Sequence, residues 1–186
     1  MDLQKVILIS NMPHIKFSYF VSRLVVFNET FATISKSSSY NSHCVLWHEA
    51  INGRKAENLT DAIVRIIDIE RDVTKIVFWS DNCCAQNKNR ILFSALVNIV
   101  NLENGPDEVI IKYLTKGHIH MSADGIHGNI EAKIRRKGKV FDFQDLISTI
   151  EGSRNKLTVL PLKNFVTGKI KRGQQKTKMT LLLISN

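Results

Sequence analysis

Short apolar runs alternate with amphipathic stretches along the chain. Runs rich in β-branched and aromatic residues, each closed by turn-forming residues, predict β-strands. The predicted strands are Leu3–Ile9, Leu24–Ile34, His43–Glu49, Ile76–Trp79, Glu108–Leu114 and Leu157–Leu162. Apolar residues that recur at helical spacing predict α-helices. The predicted helices are one that begins at Asn58–Asp61, then Asn87–Leu102, Ile126–Arg136 and Phe143–Ile150.

The order of these elements indicates the fold class. A Ser/Asn-rich turn at Lys36–Ser42 separates the second and third strands, which predicts an antiparallel hairpin. Strands and helices then alternate, as is typical of parallel strands joined by helices. We therefore expect an α/β (mixed α+β) fold, in which an antiparallel hairpin followed by parallel strands forms a mixed sheet flanked by helices. The Gly- and His-containing segment Lys116–Gly125 is expected to be a loop.

The stretch Lys75–Arg90 carries the clearest functional signal. Its apolar run ends just before Asp81, and ligands of open α/β sheets bind beyond the carboxyl ends of the strands. Asp81 is therefore expected to have a catalytic or ligand-binding role, and capping of the next helix is the alternative. Phe78 and Trp79 are expected to be core residues rather than base-stacking platforms. The amides that follow are expected to orient a phosphate or a water, or to cap the helix; they are Asn82, Gln86 and Asn87.

Length and composition indicate a soluble globular protein. The chain has 186 residues, of which 44% are hydrophobic and 23% charged, values that are ordinary for a folded domain. We expect one domain over residues 1–162 and a basic C-terminal tail over residues 163–186. No apolar run is long enough to span a membrane, and the first residues lack the basic region of a secretory signal. The expected location is nuclear or cytoplasmic, not secreted.

The excess of positive charge points to a polyanionic partner. The formal net charge is +9 at pH 7, which favours nucleic acid through counterion release from phosphates, whereas simple solubility is the alternative. The candidate nucleic-acid-binding residues are Arg54, Lys55, Lys88, Arg90, Arg135 and Arg136. Exposure of these side chains to solvent, without any ligand, explains their presence equally well.

The cysteines and histidines give weaker signals. Cys44, Cys83 and Cys84 have no CxxC spacing, so a zinc site built from cysteines is not expected. His118 and His120 precede the last acidic segment, where they either join His127 at a metal or form hydrogen bonds within the loop.

Carboxylates from three distant parts of the chain are expected at one end of the sheet. They are Asp2, Asp81, and the segment that contains Asp124 and Glu131. Two-metal phosphoryl chemistry requires carboxylates from separate elements to hold the cations. Asp124 is expected just before a helix, with Glu131 two helical turns later and about 10 Å away along the axis. Either acid is a candidate for the third position.

Several segments follow the order of a known domain family. They are Asp2-Leu3-Gln4-Lys5, Phe27-Asn28-Glu29-Thr30-Phe31, Trp79-Ser80-Asp81-Asn82-Cys83, Gln86-Asn87-Lys88-Asn89 and Gly117-His118…Met121…Asp124…His127…Ile130-Glu131. The chain resembles a transposon-derived domain family, often described as of unknown function, that is similar to RNase H-like transposase or integrase catalytic domains of the acidic-triad (DDE/DDD) type. The resemblance covers residues 2 to about 150 and is most specific at Trp79–Asn89.

The resemblance implies a catalytic triad and a reaction. The first two acids match Asp2 and Asp81, and the third matches Asp124 or Glu131. Mg²⁺ or Mn²⁺ is the implied cofactor. His127 either replaces a metal-binding carboxylate, as in some RNase H-like resolvases, or forms hydrogen bonds in the loop. The implied activity is cleavage of a DNA phosphodiester by water and joining to a DNA 3′-hydroxyl. DNA is the implied partner, together with self-association into a homo-oligomer.

The start of the chain departs from the family pattern. Asp2 directly follows Met1, whereas the first acid of such domains lies inside a longer strand, so the first strand is expected to be truncated. The alternative function is therefore a catalytically inactive, transposon-derived remnant that binds DNA or protein. A third hypothesis is a structure-specific exonuclease with the same fold.

Overall fold

The computed structural model describes residues 1–9, 22–34, 40–70, 72–115 and 121–165, without the side chains of residues 84 and 85. The chain has the predicted mixed α+β fold. In chain order its elements are β1 (Asp2–Leu3), β2 (Ile7–Ile9), β3 (Leu24–Phe31), β4 (Ser42–His48), α1 (Ala56–Ile69), β5 (Lys75–Ser80), α2 (Cys84–Asn87), α3 (Arg90–Val100), β6 (Glu108–Tyr113), α4 (Ser122–Lys137), α5 (Phe143–Glu151) and β7 (Leu157–Pro161).

The elements form two compact units. The sheet unit contains the described residues of 2–53 and 121–163, and the helical unit contains those of 54–115 and 164–165. Met1 groups with the helical unit, where its amino group donates a hydrogen bond to the carbonyl oxygen of Trp79. The division does not test the single domain expected over residues 1–162, which stays a prediction. Most of the expected basic tail, residues 166–186, lies outside the described residues.

A five-stranded mixed sheet defines the sheet unit. The hairpin of β3 and β4 is antiparallel as predicted, with Phe27 opposite Trp47 and Phe31 opposite His43. β1 and β2 pair in succession with β3, also antiparallel, and β7 adds to β4 in parallel. Between β1 and β2, the backbone N–H of Gln4 still donates to the carbonyl oxygen of Asn28. The predicted strand Leu3–Ile9 is therefore two short strands along one edge of β3.

The core of the sheet unit lies between the sheet and helices α4 and α5. Ile126 and Ile130 of α4 and Leu146 and Ile150 of α5 are fully buried in one cluster with residues of β3 and β4 such as Val26. These apolar positions follow the helical spacing of the sequence, so each helix buries one face and exposes the other. This packing fixes the position of α4, which carries three of the predicted metal ligands, Asp124, His127 and Glu131.

The helical unit is built on a parallel pair of strands. β5 and β6 pair from Lys75 opposite Glu108 to Ser80 opposite Tyr113. Phe78 and Ser80 are buried, but Val77 and Trp79 are each 39% exposed. The prediction that Trp79 is a core residue is therefore wrong. The strand alternates, so side chains at odd positions face away from the buried side.

The helix predicted over Asn87–Leu102 is in fact two helices. A short helix, α2, ends at Asn87, and α3 begins at Arg90. Asn89 separates them with an extended backbone, while its side chain accepts a hydrogen bond from the Leu92 N–H (2.9 Å) and donates one to the Gln86 carbonyl oxygen (2.9 Å). An asparagine in this conformation starts a new helix rather than continuing the old one.

The predicted loop Lys116–Gly125 is wrong over its last residues, because α4 begins at Ser122. Asp124 is thus the third residue of the helix instead of preceding it, and its Oδ2 accepts a hydrogen bond from the Met121 N–H at 2.6 Å. Gly125 disfavours a helix when the sequence is considered alone, but burial of Ile126 and this hydrogen bond offset that cost. The helix ends at Lys137, one residue after the predicted end at Arg136, and is followed by Gly138 with a φ of 77°.

None of the described helices is long and apolar enough to cross a membrane.

Replacing Asn89 with alanine should lower the free energy of unfolding by about 1 kcal/mol, the usual cost of losing a helix N-cap. Ser94→Ala is the matched control, because Ser94 is exposed in the middle of the same helix and its change should stay within about 0.5 kcal/mol. Chemical denaturation of both variants provides the measurement. Equal midpoints for the two variants would contradict the capping role of Asn89.

Candidate metal centre in the sheet unit

Two distant segments of the sheet unit bring together three predicted metal ligands. Asp2 lies on β1, opposite Thr30 of β3. Asp124 and His127 lie three residues apart on α4, a spacing that places both side chains on one face of a helix. His127 follows the fully buried Ile126 and is itself only 8% exposed. Packing of the helix therefore carries both polar side chains to the position of Asp2.

The three side chains have the spacing of a metal site that is nearly formed. One carboxylate oxygen of Asp2, one of Asp124 and one ring nitrogen of His127 all lie within 4.8 Å of one another. The distance from His127 Nδ1 to Asp2 Oδ2 is 3.9 Å, which is too long for a hydrogen bond. Two ligands about 2.1 Å from one Mg²⁺ ion lie at most about 4.2 Å apart. Only one pair among three ligands can lie opposite each other in an octahedron, and adjacent ligands lie about 3 Å apart. A pair of atoms at the 4.8 Å limit would therefore have to close by about 1–2 Å to reach coordination distance as neighbours.

The protonation state of His127 suits a metal ligand. Burial lowers the pKa of the imidazole below its usual value of 6.5, and the negative charges of Asp124 and Glu131 oppose this effect only in part. The ring is thus neutral at physiological pH, the form that coordinates a metal. The three side chains then carry two carboxylates and no positive charge among them. At about 4.8 Å and an effective dielectric constant near 20, two such charges repel by roughly 3 kcal/mol.

His127 also carries an unsatisfied ring nitrogen. Its Nε2 is buried and has no hydrogen-bond partner among the residues that the structure describes. A buried polar atom without a partner costs roughly 1–3 kcal/mol. The nitrogen that lies 3.9 Å from Asp2 Oδ2 is the other one, Nδ1. Two carboxylates and a neutral imidazole fit a divalent cation that accepts oxygen and nitrogen ligands, such as Mn²⁺, Zn²⁺ or Mg²⁺.

Glu131 does not belong to this group of three, although the sequence made it a candidate for the same role. It is exposed on α4, one helical turn after His127, and acts on the imidazole through its charge. Between the two acids that the sequence left open, the described residues thus place Asp124 beside Asp2.

Asp81 lies in the helical unit, where its carboxylate is held by neighbouring residues. Its Oδ1 accepts hydrogen bonds from the side-chain amide of Asn87 (2.5 Å) and the backbone N–H of Cys83 (3.4 Å). Asn87 is buried, and the Tyr113 hydroxyl donates a hydrogen bond to its carbonyl oxygen at 2.5 Å. A carboxylate with an amide donor on one oxygen is fixed in orientation and keeps its other oxygen for a ligand.

The contacts of Asn87 and Tyr113 were not evident from the sequence. Asn87 was expected to orient a phosphate or a water, or to cap a helix, but it contacts Asp81 itself. No role was predicted for Tyr113. It is the last residue of β6, which pairs with the strand that precedes Asp81, and a tyrosine at this position is a recognisable signal. Lys88 lies over the Tyr113 ring, with its Nζ 4.4 Å from the ring centroid.

The other predicted residues are exposed or lie outside the described residues. All six candidate DNA contacts have exposed side chains: Arg54, Lys55, Lys88, Arg90, Arg135 and Arg136. Arg135 and Arg136 are in the last turn of α4, where positively charged side chains also interact favourably with the helix dipole. His118 and His120, with the hydrogen bonds and zinc site considered for them, lie outside the described residues.

The low pKa of His127 should make the protein more stable at neutral than at mildly acidic pH. The unfolded chain binds a proton on this histidine near pH 6.5, whereas the folded protein binds it only at lower pH. The free energy of unfolding therefore falls as the pH drops through this window and is constant above it. His127→Gln should remove this contribution. Denaturant unfolding of both proteins from about pH 8 to pH 5 tests the prediction, and pH profiles that stay parallel would contradict it.

Comparison with known proteins identifies the family of the chain. The family described as "Domain of unknown function (DUF7869)" matches residues 55–164, more than half of the chain. The matched region contains Asp81, Asp124 and His127. No curated protein and no solved structure matches the chain. The chain therefore belongs to the DUF7869 family.

Proposed function

We propose that the chain is a divalent-metal-dependent nuclease domain of the RNase H-like transposase and integrase type, which cleaves a DNA phosphodiester and joins the new end to another strand. The observation that carries the proposal is the convergence of Asp2, Asp124 and His127 within 4.8 Å. These residues come from β1 and α4, which are far apart in sequence. Such convergence of charged and metal-binding side chains is a property of sites rather than of local structure.

The donor set supports phosphoryl chemistry. A divalent cation at this site supplies Lewis-acid chemistry and an activated nucleophile for attack on a phosphodiester. Asp2 and Asp124 provide the negative charge that attracts the cation, and the neutral imidazole of His127 provides a nitrogen ligand. The hydrogen bond from the Met121 N–H orients the Asp124 carboxylate, so the residue does not have to be ordered when the cation binds.

Asp81 of the helical unit is a further proposed catalytic acid. The Asn87 amide and the Cys83 N–H fix its orientation, and Tyr113 in turn holds the backbone of Asn87. This arrangement is the support that a catalytic carboxylate needs from the residues around it. The proposal assigns Asn87 and Tyr113 as positioning residues for Asp81.

The charge of the chain supports DNA as the substrate. The net charge of +9 favours a polyanion, and the six exposed basic residues named above are available for contacts with backbone phosphates. Contacts of this kind position DNA without reading its sequence. The proposed DNA binding should therefore weaken steeply as the salt concentration rises.

Titration calorimetry with Mn²⁺ tests the metal site directly. The wild-type protein should bind Mn²⁺ more tightly than Mg²⁺, because the nitrogen ligand of His127 favours Mn²⁺ over Mg²⁺. Asp124→Asn should weaken binding by about tenfold or more, since it removes one of two carboxylates. Glu131→Gln should have a much smaller effect, and Glu151→Gln, on an exposed position of α5, is the matched control. The proposed site fails if Asp124→Asn binds Mn²⁺ as the wild type does.

Nicking of supercoiled plasmid in the presence of Mn²⁺ or Mg²⁺ tests the activity. We expect nicking by the wild type and a loss of at least a hundredfold for Asp124→Asn and for Asp81→Asn, a range typical of removing one catalytic group. Metal-independent, salt-sensitive DNA binding without nicking would replace the enzyme by the inactive DNA-binding remnant. Equal nicking by wild type and variants would attribute the activity to a contaminant.

A further inference from the structure

Trp79 is the most exposed aromatic side chain among the described residues of the helical unit. It shares its 39% exposure with Val77, two residues earlier on the same face of β5. Tryptophan in a strand next to buried residues normally contributes to the core, because its ring buries a large apolar area. The exposed parts of the indole and the valine lie side by side and form a small apolar surface on this face of β5.

A lysine from the adjacent strand gives this surface a positive charge. Lys112 is the register partner of Trp79, and its Nζ lies 5.0 Å from the centroid of the indole ring. The pair combines an aromatic surface with a cation, the two elements with which proteins bind single-stranded nucleic acid. Lys88 lies over the ring of Tyr113. Because Tyr113 pairs with the buried Ser80, this cation belongs to the other face of the strand pair and does not add to the surface around Trp79.

The position of Trp79 relates the surface to the proposed chemistry. Trp79 precedes Asp81 by two residues, a distance of about 7 Å along an extended chain. This length corresponds to about two stacked nucleotides. A base on the indole would therefore lie close, along the strand direction, to the phosphate that Asp81 is proposed to serve.

We propose that Trp79 and Lys112 form a stacking site for an unpaired DNA base. The inference rests on the proposed function, because it names the substrate as DNA with a single-stranded segment next to the cleaved phosphate. The indole provides the stacking surface, Val77 extends its apolar edge, and Lys112 neutralises a backbone phosphate. Stacking tolerates every base, since each has a π-face, so the site favours unpaired over duplex DNA without selecting a sequence.

The affinity of the full chain for a labelled oligothymidylate tests this site, measured by anisotropy in EDTA so that cleavage plays no part. Trp79→Leu, which keeps an apolar side chain without the ring, should weaken binding roughly 5- to 150-fold, the range of base–aromatic stacking energies. Trp79→Phe, which keeps a ring, should weaken it only a few-fold. Equal binding by the two variants would overturn the proposal, and their thermal melts show that both are folded.

An abasic oligonucleotide of the same length and charge separates stacking from phosphate contacts. It should bind the wild type as weakly as oligothymidylate binds Trp79→Leu. Equal binding of the abasic and thymidine strands to the wild type would overturn the proposal. Because neither measurement uses a metal, stacking without nicking would reject only the proposed nuclease, whereas nicking of duplex DNA without stacking would reject only this inference.

Fluorescence provides a second readout, since the chain has only two tryptophans and Trp47 is fully buried. Oligothymidylate should quench a solvent-exposed, long-wavelength component that is absent from Trp79→Phe. A free protein without this component would show that another segment covers Trp79. A dimer in sedimentation that Trp79→Leu dissociates would show that a second copy does so. Either result would overturn the proposal.

Discussion

The packing of one helix determines the geometry of the candidate metal centre. Ile126 and Ile130 bury one face of α4 against the sheet, and His127 is carried into the same buried surface by its position next to Ile126. A metal site requires its ligands to be placed within about half an ångström, a tolerance that exposed loops seldom reach. The apolar core thus supplies the precision, although none of its side chains can bind a cation. A cavity in this core would consequently disturb the site as well as the fold.

The same burial sets the chemistry of the site. It lowers the pKa of His127, so the imidazole beside the two carboxylates is neutral. The folded chain keeps two carboxylates close together, whose like charges repel each other. The buried Nε2, which has no hydrogen-bond partner among the described residues, opposes folding. A bound divalent cation would relieve the repulsion between the carboxylates. Sites that oppose stability in this way are typically functional sites.

The sequence predicted the elements better than their ends or their contacts. The hairpin of β3 and β4 and the buried run of β6 follow from strand-like apolar patterns, which depend on local sequence alone. The boundary at Asn89 and the early start of α4 depend on single side-chain hydrogen bonds, which apolar periodicity does not register. Asp2, Asp124 and His127 were all candidates, but their grouping depends on how α4 packs on β3. The exposure of Trp79 was not predicted, because a continuous apolar run indicates burial on both faces of a strand and does not show that one face is exposed to solvent.

The choice of a histidine at the most buried position of the centre has a physical reason. A third carboxylate there would add two more like-charge interactions, each of roughly 3 kcal/mol at an effective dielectric constant near 20. Desolvation would also raise its pKa until it bound a proton, and a protonated carboxyl group is a poor ligand. A neutral imidazole avoids both costs, since burial favours the form that coordinates a metal. Asp2, whose side chain is 23% exposed, is more accessible to water than His127. The centre thus combines one buried nitrogen ligand with carboxylates that are more hydrated. This combination allows α4 to pack against the low-dielectric core and also to carry ligands for a cation.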